Sequence, residues 1–315
     1  MEAAPQVNVT QRAKPTFKTR FKAWWEGYDL PGEAPDRPLP QSPRSGATPA
    51  AQHAPLPVSA HPAREVAQQI WGAGFDQPGG GAFILNLVKP FALNPSMTVM
   101  DFGAALGGGT RAVSQQFDIW VQGFEADPDL VQSAQALSEK QGVKKAEFKP
   151  YRAESFEPKP ASCDCIYSHA ALYRRPEKAK LLTTFERTLK FRGQCSITDF
   201  VRAPGVAEDD SRLKDFMADP AETPCFWSDE EYATQFKALR IDLRVNEDQT
   251  ANYRSAIIDG WVNFTNESAG LACAKAYPAE AVAEVGLWTR RVAVLDSGAL
   301  QLRRYYGIKM GPGTI

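Results

Sequence analysis

From Ala63 onward the chain alternates between short apolar runs and longer stretches of helical spacing. "REVAQQIWGAGF" sets Val66, Ile70 and Trp71 on one side, as an amphipathic helix requires, and "GAFILNLVKPF" continues apolar. Compact apolar runs predict strands over residues 98–101, 119–125, 146–150, 163–168 and 194–200. Between them, helical spacing covers 111–116, 128–141 and 177–189, with Gly142 just past a helix C-terminus. Strands alternating with helices give βαβ units and a mostly parallel sheet.

After Phe200 the pattern changes. Residues 203–227 read as loop, then 228–239 as a helix with Ser228 as N-cap and Glu231 completing a capping box. A strand over 239–245, helices over 252–266 and 279–296, and a closing strand over 300–310 follow. The expected fold is α/β: a Rossmann-like, doubly wound, mostly parallel seven-stranded sheet with a helical lid insertion. In the insertion, Tyr253, Ile257 and Trp261 recur every four residues as one apolar-aromatic stripe. The domain is expected over 63–315, with lid elements at about 63–90, 203–227 and 250–296.

Residues 1–62 differ. From Pro31 to Pro62 the chain is rich in Pro, Ala, Ser and Gly, too poor in large apolar groups to offset ordering entropy, and is expected to be a disordered tail. Before it, "FKTRFKAWWEGYD" (residues 17–29) interleaves basic and aromatic residues. Docking on the domain is the preferred reading of that segment, and contact with an anionic membrane surface the less favoured one.

Composition narrows the classes. The 315 residues carry a formal charge of -1, so no basic field points to nucleic acid. No apolar run nears the roughly 20 residues that span a bilayer, and no secretory h-region is seen, so a cytoplasmic location is expected. The five cysteines include one close pair, Cys163-Asp164-Cys165, with no CxxC and no His cluster, which predicts free thiols and no metal site.

The chemistry concentrates after the strands, where a parallel sheet binds ligands. "TVMDFGAALGGGTRAVS" runs a strand through Asp101 into a glycine-rich turn holding Gly103, Ala105 and Gly107. Glu125 ends the second strand, 22 residues beyond Gly103, about where an acid grips two ribose hydroxyls. Ala153 and Glu154 follow the third strand, and Ser168 and His169 the fourth. The first motif, together with "RAESFEPKPASCDCIYSHAALY" and "FERTLKFRGQCSITDF", resembles the class I S-adenosylmethionine-dependent methyltransferases over about residues 65–310.

The resemblance implies S-adenosylmethionine as cofactor. Asp101 and Gly103 would then face its methionine part, with Ala105 and Gly107 in the same loop. Glu125 would hold its ribose, and Ala153 and Glu154 would lie beside its adenine. His169 would sit near the transferred methyl. Apart from the resemblance, the stripe of the insertion either packs on the core or lines the pocket, and in the second case Tyr253 meets the acceptor as a catalytic candidate. Three positions depart from the family pattern: Ala105 replaces a glycine, Phe191-Arg192 a Pro-Gly, and Arg152 an acid. The Ala105 methyl is expected to be tolerated if its φ is negative and costly if positive.

"WGAGFDQPGGGAFIL" and "VNEDQTANY" resemble small-molecule N-methyltransferases of the phosphoethanolamine and sarcosine type. Residues 203–250 hold 12 acidic against five basic residues, with aromatics interleaved, which suits a cationic amine. Methyl transfer to such an acceptor is the expected function. A lipid or protein substrate and a non-catalytic scaffold are the alternatives.

Overall fold

The computed structural model describes residues 61–219 and 222–311. Residues 1–60 of the expected tail, with its 17–29 segment, lie outside the described residues, while Pro62, counted with the tail, already opens a helix. Among the described residues seven strands are formed: β1 (Thr98–Phe102), β2 (Trp120–Glu125), β3 (Ala146–Pro150), β4 (Cys163–His169), β5 (Leu189–Arg202), β6 (Ile241–Asp248) and β7 (Leu300–Lys309). They make one sheet in the order β3-β2-β1-β4-β5-β7-β6. The pairs among β1 to β5 are parallel, and β7 is antiparallel to both β5 and β6. It follows that β6 runs parallel to β5. The strand order reverses between β1 and β4, which opens a crevice above their carboxyl ends.

Helices cover the sheet as its apolar content demands. Val99, Met100 and Phe102 of β1 are all buried, the signature of a strand packed on both faces. After α1 (Pro62–Trp71), one face carries α2 (Gly80–Val88), α3 (Gly108–Phe117) and α4 (Pro128–Gln141), of which α2 and α3 pack Ile84, Leu87 and Val113 on Val99 and Val121. On the other face α5 (Lys178–Thr188) and α7 (Asp229–Ala238) bring Leu181, Phe185, Tyr232 and Phe236 onto Phe102 and Ile197, the short α6 (Ser211–Asp215) lying between them in sequence. The expected punctuation is present. Gly142 caps α4 at φ 69, and Ser228 and Glu231 form both bonds of a capping box on α7.

Three helices separate β6 from β7: α8 (Thr250–Asn266), α9 (Ser268–Ala276) and α10 (Pro278–Asp296). Tyr253, Ile257 and Trp288 from this group join Val66 and Ile70 of α1 and Phe200 and Phe216 in a third apolar cluster. Within residues 63–90, α1 thus packs with the late helices, whereas Ile84, Leu87 and Val88 of α2 pack on the sheet.

No helix connects β3 to β4. That crossover holds one 3-10 turn (Ala153–Ser155) and leaves a groove of about 1260 Å³ along the sheet, lined by Met100, Trp120, Gln122, Phe124 and Lys149 among others. All five cysteines are free. Among the described residues no helix is long and apolar enough to cross a membrane. None of their His, Cys, Asp and Glu side chains form a group of three that could hold a metal ion.

Candidate active site

The turn after β1 and the end of β2 are bonded to each other. Asp101 is buried near the end of β1, and its Oδ2 accepts from Thr110 Oγ1 at 2.6 Å and Tyr167 OH at 2.8 Å. Burial pushes its carboxyl up to about 6, with those two hydroxyls acting against the shift. Gly103 turns the chain at φ 81, where an added Cβ would stand 2.2 Å from the Cβ of Ala171. Its N–H and that of Ala104 both donate to the Phe124 carbonyl. Glu125 is 8% exposed. Its Oε2 accepts from the Ala105 N–H at 2.9 Å, and its Oε1 from the N–H groups of Ala126 and Asp127. Gly107 then opens α3 as its N-cap.

Ala105 adopts φ 47, the left-handed region. The condition under which its methyl would be free of strain, a negative φ, is not met. Holding an alanine there costs on the order of 1 kcal/mol. Ala105→Gly is therefore expected to raise the melting temperature by a few degrees and to change cofactor affinity less than tenfold. A lower melting temperature would show that the methyl is packed rather than strained.

His169, at the end of β4, and Tyr253, on α8, lie near each other. The His169 ring sits 4.9 Å from Phe83 and 6.2 Å from Tyr253, centroid to centroid. Its Nδ1 lies 2.6 Å from Thr198 Oγ1, and its enclosed Nε2 has no hydrogen-bond partner among the described residues. Burial drives the imidazole down to about 4, so the ring is neutral at pH 7. Tyr253 is buried against Phe83, Phe200 and Trp288, and burial raises its phenol. Ala153 and Glu154 lie apart from this group. Their turn lines the groove beside the sheet, with Glu154 exposed and its carbonyl held by Lys180 Nζ.

Sequence reading did not single out a set of charged groups beside Tyr253. Asp76 stands in the glycine-rich turn between α1 and α2, which is fastened to α3 by the Gly108 N–H donating to the Gly74 carbonyl. Burial, then Glu125, holds its carboxyl above the usual range, while Arg174 and Arg291 pull it down. Arg291, on α10, donates to Tyr173 OH and to the Phe216 carbonyl. Glu284 accepts from Trp288 Nε1 and is raised chiefly by burial. The only local signal was an acid among glycines in "GAGFDQPGGG"; the arginines come from distant segments.

Known proteins resemble this chain in sequence and fold. The profile of a methyltransferase domain family matches residues 93–247. Phosphoethanolamine N-methyltransferase 2 of Caenorhabditis elegans is 25% identical over 153 residues, 48% of this chain and 35% of that protein. Phosphoethanolamine N-methyltransferase 3 of Arabidopsis thaliana is 28% identical over 144 residues, 45% of this chain and 29% of that protein. The chain thus spans about a third of the length of these curated relatives.

Among solved structures, Haemonchus contortus phosphoethanolamine N-methyltransferase 2, in complex with phosphomonomethylethanolamine and S-adenosylhomocysteine, superposes with a TM-score of 0.69. It is 18% identical and covers 78% of this chain and 57% of its own. The [4+2]-cyclase SpnF reaches 0.62 at 14% identity, covering 79% and 93%. That cyclase shows that the fold hosts other reactions. The matched domain and the strand order agree: residues 93–247 form a class I S-adenosylmethionine-dependent methyltransferase domain.

Proposed function

We propose that the chain binds S-adenosylmethionine and directs its methyl group to the nitrogen of a small amine that also bears an acidic group. The observation that carries the reading is the bond between Glu125 and the Ala105 N–H, which joins the acid to the glycine loop. A carboxylate offers about four lone-pair sites. Three backbone N–H groups occupy Glu125, so a site remains for a ribose hydroxyl. Asp101 would face the cofactor's amino group, with Gly103, Ala105 and Gly107 shaping the turn around it. Ala153 and Glu154 would border the adenine at the end of the groove. When bound, the cofactor supplies an electrophilic methyl on a sulfonium.

The remaining work falls to alignment and exclusion of water. We assign the acceptor to the space between His169, Tyr253 and Asp76. Asp76 and Glu284 suit an ammonium there, and Arg174 and Arg291 an acidic group; the phosphoethanolamine-type relatives support this reading. A base held near 4 is some six pH units below an ordinary alkylammonium. His169 therefore orients the acceptor through Nε2, and the amine gives its proton to water before it attacks the methyl. The carboxyl end of β6 faces the crevice and feeds directly into α8, which supports a lid role for α8 to α10.

Calorimetric titration with S-adenosylmethionine, followed by a screen of phosphorylated and carboxylated amines, tests the proposal. Tyr253→Ala should cut acceptor turnover while cofactor affinity stays within about twofold. Cofactor binding without turnover of any amine would sink the acceptor assignment. No cofactor binding at all would favour the scaffold reading.

A further inference from the structure

A charged pair is buried between α5 and β5 with no access to water. Lys178 opens α5 and Asp199 sits in β5, and both are 0% exposed. Lys178 Nζ stands 2.9 Å from Asp199 Oδ2, donates to the Cys225 carbonyl, and lies over the rings of Trp227 and Tyr232. Tyr232 OH donates to the same Oδ2 at 2.6 Å. The other oxygen, Oδ1, accepts the backbone N–H of Tyr173 at 2.9 Å. The Tyr173 carbonyl is held in turn by the Cys225 N–H.

Both backbone groups of Tyr173 are thus fixed by this network, directly or through Cys225. Its ring stacks on Phe226 at 5.6 Å, and its hydroxyl takes Arg291 Nη2 from α10. The next residue is Arg174. The turn Leu172–Arg174 therefore gets its position from below, and passes it to the lid above.

A buried ion pair is weak evidence for stability, because desolvation offsets its attraction and apolar replacements are often neutral. Its retention fits a geometric task. We propose that Lys178 and Asp199 are positioning residues, which set the Tyr173–Arg174 turn so that Arg174 and Arg291 meet the acidic end of the acceptor. This rests on the function proposed above.

The double substitution Lys178→Met with Asp199→Leu removes both charges together and the acceptor of the Tyr173 N–H. It should raise acceptor KM about fivefold, leave the cofactor Kd within twofold, and speed hydrogen exchange at the Tyr173 amide. Lys178→Met with Asp199→Asn keeps an oxygen for that N–H and should recover most of the KM. An unchanged KM in the leucine variant, parallel loss of cofactor affinity, or no rescue by asparagine would overturn the inference. Should the leucine variant not fold, Tyr232→Phe, which removes one bond to Asp199, is read by the same split between KM and Kd. If the parent protein turns over no amine, the proposed function fails instead. Exchange at Tyr173 then decides alone: faster with leucine and restored with asparagine supports positioning, and no change refutes it.

Discussion

Glu125→Ala is expected to weaken S-adenosylmethionine binding by ten- to a hundredfold. A hydrogen bond to a charged group contributes about 1.5–3 kcal/mol, and about 1.4 kcal/mol is a factor of ten. The substitution takes away the proposed ribose bond. It also orphans the N–H groups of Ala105, Ala126 and Asp127, which the carboxylate now holds. The first loss acts on ligand binding alone, while the second loosens the loop before any ligand arrives. Glu125→Gln separates them, because its one carbonyl oxygen can still accept from part of that backbone. Titration of both variants, with melting temperatures measured without cofactor, gives each share. Parental affinity in the alanine variant would show that Glu125 is a loop clamp and not a ribose ligand.

That clamp illustrates what the chain discloses by itself. Asp101, the glycine turn and Glu125 were legible because strand ends and glycines are local features, and the parallel fold brings strand ends together. The 3.6-residue stripe of Tyr253 and Ile257 was equally visible, and both are buried. Helix α9 escaped notice because "SAGLACAKA" is made mostly of small residues and carries no broad apolar stripe. Strand β5 begins at Leu189 instead of 194, since Arg192 takes φ 59 and lets an irregular stretch pair with Cys163. Asp76, Arg174 and Arg291 could not be joined from sequence. They belong to three segments whose proximity depends on how α10 folds back over the sheet. The backbone at Ala105 was undecidable for a similar reason: its positive φ comes with an N–H directed at Glu125, 20 residues away.

Cofactor affinity is expected to fall about tenfold per pH unit below pH 6, through Asp101. Burial lifts this carboxyl from its ordinary 3.8 to about 6. Between those values the folded protein holds a proton that the unfolded chain releases. The associated stability is fully present below about pH 4 and is lost as pH rises through 6, on the order of 3 kcal/mol in all. A cationic amino group beside Asp101 reverses the preference by favouring the carboxylate. Below pH 6 binding must therefore expel a proton, and affinity climbs with pH until Asp101 is already ionised. Above about 6 the curve should flatten. Titration calorimetry from pH 5 to 8, in buffers of different ionisation enthalpy, counts the proton directly. Asp101→Asn keeps an oxygen for Thr110 and Tyr167, but should bind cofactor at least tenfold more weakly at pH 7 and with no slope below 6. A pH-independent affinity in the parent, or the same slope in the asparagine variant, would remove Asp101 from the cofactor site.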